Sequence, residues 1–294
     1  MRLRILSLFC FLLWQTAAGG STRPIEDSLM PAFVRVPELS SGFHQLYIQR
    51  FPEGRALFEA WESQHPDEPF GQVAIAASYL FEEFYRQGVL SSDFFLNEKK
   101  FLHGIDGEPD PVRMESFEAA VQKARELATR RLSEDPRDPE GLYALTLSAG
   151  MESDADMILK KHNMEALRRL KEANAHAKAL LVERPDAKDA YLALGSANYI
   201  VGSLSVGFRA MLWFGGIHGD KKLGMKQLEE AANEGRYLQP LAKIMLALSA
   251  RREKQKTLAE KLLRELTEEF PESPLYPIEY AKVLGRPIPA SMHP

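Results

Sequence analysis

The sequence predicts an all-α fold, an α-α superhelix of irregular helical hairpins, and three observations lead to this prediction. Apolar residues recur at helical spacing, as Phe117, Val121 and Ala124 do on one predicted helix face. We find no stretch with the apolar–polar alternation typical of a half-buried strand. Prolines end several of the helical patterns in similar surroundings. With 294 residues, of which 45% are hydrophobic, the chain has enough apolar material for a large core.

Four of these prolines, Pro66, Pro136, Pro185 and Pro271, have small and bulky residues at the same relative positions. A small residue lies twelve positions before each proline and an apolar one lies eight before it; a large residue lies nine after it and a small one ten after it. This register predicts two antiparallel helices, because small residues let the backbones approach while large ones fill the groove between them. Such a pair cannot bury its apolar face alone, so we expect the hairpins to stack on one another. Each set gives the proline, followed by the residues twelve and eight positions before it and nine and ten positions after it: Pro66, Gly54, Phe58, Ile75 and Ala76; Pro136, Ala124, Ala128, Leu145 and Thr146; Pro185, Ala173, Ala177, Leu194 and Gly195; and Pro271, Ala259, Leu263, Tyr280 and Ala281.

This register resembles the tetratricopeptide repeat (TPR), a helical pair of 34 residues in the family pattern. The best match is Tyr191, Leu194 and Gly195, preceded by Ala173 and Pro185 of the previous second helix. A fifth, degenerate register contains Gly224, Leu228 and Ala231, with Arg236 in place of the proline. Because the prolines are spaced unevenly, we expect lengthened or inserted helices rather than a uniform superhelix.

The segment GDKKLGMKQLEEAANEGRYL, residues 219–238, resembles a block of divergent TPR proteins. These include exported bacterial proteins of undefined role and a eukaryotic group whose intracellular roles do not fit an exported chain. Locally, we expect Asp220 to cap a helix, Leu223 and Leu228 to face the core, and Gly235 to end the helix. The resemblance implies a TPR-like fold and protein binding.

The N-terminus has the pattern of a secretory signal. Arg2 and Arg4 precede an apolar run that is followed by small residues up to Ala18. We therefore predict a signal peptide at 1–18, a tether or cap at 19–38, a TPR-like domain at 39–285 and a tail at 286–294. This predicts an exported chain, periplasmic or extracellular, whereas retention of the signal as an anchor is the alternative. Cys10 would be removed with the signal, which excludes disulfides from the mature chain.

Charge and motifs exclude several function classes. Without the signal peptide, the net charge falls from −4 to about −6, which does not favour binding to nucleic acid. No motif of a zinc hydrolase, a serine hydrolase or a phosphate-binding loop is present. Acidic triplets at 106–110 and 152–156 lack the glycine and the later glutamate of a calcium loop. We therefore predict no catalytic residues, no metal and no cofactor.

The leading functional hypothesis is a non-enzymatic binding or scaffold protein that recognises a protein or peptide on its concave helical surface. The register assigns five residues of two first helices to this surface, although packing between repeats is the alternative for all of them. These predicted partner-binding residues are Tyr143, Leu147, Leu192, Ser196 and Tyr199.

The segment 190–219 is unusual because Arg209 carries its only full side-chain charge and six glycines interrupt it. One interpretation, which we expect to hold, is tight core packing that buries Phe208, Met211, Trp213 and Phe214. The alternative is an apolar groove or membrane-touching corner that carries a small apolar or lipid ligand, with Arg209 and Trp213 at its mouth.

Overall fold

The computed structural model describes residues 30–214 and 216–287, so the predicted signal peptide lies outside the described residues. The described part of the chain consists of helices and connecting turns, without a strand. All of the helices belong to one compact unit that begins at Pro31. They are α1 (Pro37–Tyr47), α2 (Phe51–Glu62), α3 (Pro69–Arg86), α4 (Ser92–Leu96), α5 (Glu98–His103), α6 (Pro111–Glu134), α7 (Pro139–Asp154), a π-helical turn (Ala155–Leu159), α8 (Asn163–Glu183), α9 (Ala190–Ser203), α10 (Val206–Phe214), α11 (Lys221–Glu234), α12 (Gln239–Arg252), α13 (Lys256–Glu269) and α14 (Leu275–Leu284).

The helices form an α-α superhelix of irregular TPR-like hairpins, which confirms the predicted fold class. Five pairs follow one another, α1/α2, α3/α6, α7/α8, α9/α11 and α12/α13, and α14 packs on α13. The first helices of successive pairs also contact each other, so α1, α3, α7, α9 and α12 line the inner side. The array is irregular because α4, α5, the π-helical turn and α10 are inserted within or after the hairpins.

The proline register marks the close contacts of the hairpins. Helices α2, α6, α8 and α13 end shortly before the four prolines, as expected from the backbone restriction that proline imposes. The small residues twelve positions earlier are buried, and Ala124, Ala173 and Ala259 have no exposed surface. These small side chains permit the approach of neighbouring helices that the sequence predicts.

The degenerate fifth register is also a helix contact, because Gly224 of α11 packs directly on the backbone of α9. A Cβ atom on Gly224 would lie 2.5 Å from the Tyr199 backbone nitrogen and 2.8 Å from the Gly195 carbonyl oxygen. The predicted roles of its neighbours are partly confirmed. Asp220 caps α11 and Leu228 is buried, but Leu223 is 46% exposed, so its assignment to the core is wrong.

The first and last hairpins of the unit contact each other. The Tyr47 hydroxyl at the end of α1 donates a hydrogen bond of 2.8 Å to the Tyr237 carbonyl. The Tyr47 ring also lies 5.4 Å from the ring of Phe270. At the other edge, α4 packs on α12 and the Lys282 ammonium lies 2.8 Å from the Asp93 carboxylate. The inner side is therefore closed by contacts between residues that are far apart in sequence.

An aromatic cluster packs between α1, α2, α3, α7 and the turn before α12. Phe43 lies 5.1 Å from Phe58, 6.0 Å from Phe70 and 5.1 Å from Tyr237, measured between ring centroids. Phe70 in turn contacts Tyr143 and Tyr237 at 5.5 and 5.2 Å. Each of these rings buries a large apolar area, so the cluster is a main source of stability.

Candidate functional site

The candidate site consists of the side chains that bind the chain's own residues 31–36. These residues precede α1 and lie near the first turns of the inner helices. The Tyr237 hydroxyl donates to the Val34 carbonyl at 2.7 Å and accepts from the Val36 N–H at 2.8 Å. The Glu140 carboxylate accepts from the Ala32 N–H at 3.2 Å, and the Arg236 guanidinium donates to the Ala32 carbonyl at 3.4 Å. Side chains of the helical array thus bind the backbone of this segment.

Phe33 is the side chain that fixes the segment. It is 4% exposed, its ring lies 5.7 Å from the Tyr143 ring, and the Arg184 guanidinium lies 4.6 Å above it. A small crevice lined by residues 186–189, Tyr143 and Arg236 borders it. Val34, the next residue, is 37% exposed. The segment therefore inserts one aromatic side chain and directs the next one to solvent.

A buried carboxylate, Asp189, holds the walls of this site together. It accepts hydrogen bonds from the Tyr143 hydroxyl at 3.0 Å and from the backbone N–H groups of Arg236, Tyr237 and Leu238 at 2.7, 3.1 and 3.4 Å. The backbone donors lie in the turn that leads into α12: Leu238 is the N-cap of this helix, and Arg236 and Tyr237 precede it. Asp189 thereby connects α7, the start of α9 and the start of α12.

Burial shifts the acidity of the groups in this site. It raises the pKa of Glu140 to about 8, and the charge of Glu68 adds to this. It also raises the pKa of Asp189, although four hydrogen bonds oppose the shift. Burial raises the pKa of Tyr143 well above its usual value and that of Tyr237 to about 12, so both phenols remain hydrogen-bond donors near neutrality.

Three of the five predicted partner-binding residues are not surface residues. Tyr143, Leu192 and Tyr199 are 1%, 9% and 4% exposed, so they form no open surface, and their contact with a partner stays a prediction. Tyr143 lies beneath Phe33, and the Tyr199 hydroxyl donates to the Ser249 carbonyl of α12. The closed inner side covers the face that the register assigns to partners. Leu147 and Ser196 are half-buried, and their partner contact stays a prediction.

Sequence reasoning missed Asp189, Glu140, Tyr237 and Phe33, and one signal for this site was present at Arg236. This residue replaces the proline of the repeat register, and its backbone N–H donates the 2.7 Å hydrogen bond to Asp189. Proline has no N–H to donate. The departure from the repeat pattern therefore marks the place where the loop binds the buried carboxylate.

The segment α10 contradicts the expectation of a core. Val206, Phe208, Met211, Trp213 and Phe214 are 73%, 46%, 59%, 62% and 85% exposed. Leu212 is the buried residue of this helix. Arg209 is also exposed, and its guanidinium donates to the Gly202 carbonyl at 3.3 Å. The tight-core interpretation is therefore wrong for α10, whereas α9, which precedes it, is largely buried.

A polar groove of about 870 Å³ lies between α6 and α8, with the end of α7 as its floor. Its cations face carboxylates: Arg125 and Arg169 each lie 3.0 Å from Glu152, and Lys160 lies 2.7 Å from Glu118. The lining contains five acidic and three basic side chains, so the groove has an excess of negative charge although its cations are paired. Within residues 30–214 and 216–287, no cluster of histidine, cysteine, aspartate and glutamate side chains could hold a metal ion.

Comparison with known proteins yields a structural likeness without a family assignment. The sequence matches no protein-family model and no curated protein. The structure is similar to that of a thermophilic TPR protein of Thermus thermophilus, with a TM-score of 0.45 and 14% sequence identity over 84% of this chain and 97% of that chain. The fold assignment rests on the helix contacts described above.

Proposed function

We propose that the protein is an exported, non-enzymatic binding protein whose inner helical side recognises a short peptide segment. The supporting observation is the binding of its own residues 31–36: backbone carbonyls accept hydrogen bonds from Tyr237 and Arg236, and backbone N–H groups donate to Tyr237 and Glu140. Stacked helical hairpins commonly present such surfaces to protein partners. A partner segment with a similarly placed aromatic side chain would replace the chain's own segment.

The geometry favours peptide recognition because its walls are preorganised. Asp189 fixes Tyr143 and the backbone that carries Arg236 and Tyr237, so the groups that bind the segment are themselves bound. Preorganised donors and acceptors reduce the entropy lost when a flexible segment is captured. Backbone hydrogen bonds supply affinity, and the Phe33 position supplies selectivity for an aromatic ring.

Export is the second part of the proposal and rests on the N-terminal sequence. Cleavage after Ala18 would leave the bound segment a short distance from the new N-terminus. The test is expression of the full chain in a bacterial host followed by N-terminal sequencing of periplasmic protein. A chain that keeps residue 1 and stays in the cytoplasm would refute export without affecting the peptide site.

The peptide site is tested by cutting the chain next to the bound segment. A protease sequence inserted between Val36 and Pro37 allows cleavage after folding, and a labelled peptide of residues 30–36 is then added. We expect the labelled peptide to exchange into the cleaved protein, measured by fluorescence anisotropy. A labelled peptide with Phe33→Ala should bind about 100-fold more weakly, because it loses a buried aromatic side chain.

The matched control is the same peptide with Val34→Ala, which changes the neighbouring, exposed position. It should bind within about threefold of the unmodified peptide, since exposed substitutions have small effects. If neither peptide exchanges although the cleaved protein remains folded, the inner side is a packed core rather than a peptide site. Equal affinities of the Phe33→Ala and Val34→Ala peptides would also contradict the proposal.

A further inference from the structure

The strongest remaining feature is the exposed apolar surface of α10. Its exposed apolar side chains are not grouped on a narrow stripe: at about 100° per residue, they spread over about 220° of the helix circumference. A helix that packs in a protein groove typically presents an apolar stripe of only about 100° or somewhat more. More than half of the circumference of α10 therefore needs an apolar surrounding that a single groove does not supply. These residues are Val206, Phe208, Met211, Trp213 and Phe214.

The charges around α10 are basic. Arg209 and Lys222 are exposed, and the Lys171 ammonium lies 3.9 Å from the position that a Cβ atom on Gly216 would occupy. No acidic residue occurs between positions 190 and 219. Asp220, which follows, accepts hydrogen bonds from the backbone N–H groups of Lys222 and Leu223 as a helix cap. The local charge thus differs in sign from the net charge of −4 of the whole chain.

We propose that α10 docks the protein onto the surface of an anionic lipid bilayer, with Trp213 and Phe214 inserted at the interface. A bilayer surrounds an inserted side chain from all directions, which fits the wide apolar arc. Tryptophan and phenylalanine are typical of the region between headgroups and acyl chains, and neighbouring arginine and lysine side chains bind anionic headgroups. Interfacial docking does not require a spanning helix, and no helix among the described residues is long and apolar enough to cross a membrane.

The proposal is tested by locating Trp213 in a bilayer. The full chain with Trp14→Phe retains Trp61, which is 5% exposed, and Trp213, which is 62% exposed. Vesicles of equal parts phosphatidylcholine and phosphatidylglycerol, with brominated acyl chains, are added to this protein. We expect strong quenching of the tryptophan emission, and loss of that quenching when Trp213→Phe is added. Vesicles of phosphatidylcholine alone should require about ten times more lipid for the same quenching.

Substitution of exposed residues supplies the second measurement. Phe208→Ser with Phe214→Ser should lower the partition coefficient of the Trp14→Phe chain at least about tenfold, because two exposed rings no longer enter the bilayer. The matched control is Met164→Ser with Val182→Ser, which removes two exposed apolar side chains from α8 and should leave partitioning unchanged. Both variants keep the same N-terminus, so any membrane affinity of residues 1–18 cancels in the comparison.

Two results would overturn the proposal. One is unchanged Trp213 emission in vesicles. The other is a concentration-dependent dimer in sedimentation that the Phe208→Ser, Phe214→Ser variant abolishes, because a second copy would then be the occupant of this surface. The outcome is independent of the peptide experiment, which alters residues of the inner side only.

Discussion

Removal of the Asp189 carboxylate tests whether a single buried group holds the inner site together. In Asp189→Ala, three backbone N–H groups and the Tyr143 hydroxyl lose their acceptor. At about 1–1.5 kcal/mol for each lost hydrogen bond, the gross cost is about 4–6 kcal/mol. Relief of the desolvation of the carboxylate offsets part of this, so we expect a net loss of about 3–4 kcal/mol in the free energy of unfolding.

The assay is urea denaturation followed by far-ultraviolet circular dichroism. Asp189→Asn retains one carbonyl acceptor but presents an amide donor toward the Tyr237 N–H, so we expect an intermediate loss of about 1–3 kcal/mol. Asp67→Ala, an exposed position outside this site, is the control and should cost less than about 1 kcal/mol. If Asp189→Ala costs no more than the Asp67→Ala control, the carboxylate does not organise the site and the reasoning is refuted.

Three further predictions concern other contacts. Arg236→Pro removes the N–H that binds Asp189 and should lower the free energy of unfolding by about 1–3 kcal/mol, measured by urea denaturation. Arg236→Ala keeps this N–H and should lower the free energy of unfolding less. Equal losses in the two variants would assign the effect to the guanidinium. Gly224→Ala places a Cβ atom against the α9 backbone and should lower the free energy of unfolding by about 2–3 kcal/mol. Its control, Gly150→Ala, has no atom within 4 Å of the added Cβ and should raise the free energy of unfolding by up to about 1 kcal/mol. Similar effects at both positions would contradict the close approach of α11 to α9. Because burial raises the pKa of Glu140 to about 8 in the folded protein, the folded state keeps a proton that the unfolded chain has released. The contribution of Glu140 to the free energy of unfolding therefore decreases as the pH rises from about 4.5 to about 8. Glu140→Gln should flatten this pH dependence in thermal denaturation, and an unchanged slope would show that Glu140 is not the group responsible.

The sequence predicted the hairpins because their determinants are local. Proline ends a helix through its own backbone geometry, and small residues such as Ala124 and Ala173 permit close packing wherever the helices meet. The same holds for the cap at Asp220, which binds backbone groups two and three residues away. Residue type and spacing therefore suffice for these features.

The candidate site depends on contacts between distant residues, which a single sequence does not reveal. The Val36 N–H binds the hydroxyl of Tyr237, and the Tyr47 hydroxyl binds its carbonyl, over separations of 201 and 190 residues. A repeat register assumes that the first helices face solvent, and it could not indicate that the array closes on itself. For this reason the register predicts an open surface at Tyr143 and Tyr199, which the structure buries.

At α10 the sequence predicts burial, whereas the structure exposes the apolar side chains. Apolar composition favours burial in general, and it gave no means of separating a core helix from one whose rings face outward. Whether an apolar helix is buried depends on whether other helices pack over it. Leu212 is the side chain that α10 buries, although the helix contains five other large apolar residues.

The contact between the first and last hairpins bears on how the protein comes apart. A linear array of repeats can lose its terminal units first, since each unit touches only its sequence neighbours. Here the terminal units support one another through Tyr47 and Phe270, and the pairing of Lys282 with Asp93 joins α14 to α4 of the second hairpin. Fraying at one end would therefore expose the other, so hydrogen exchange in α1 and α13 should proceed at similar rates and a single melting transition should include both.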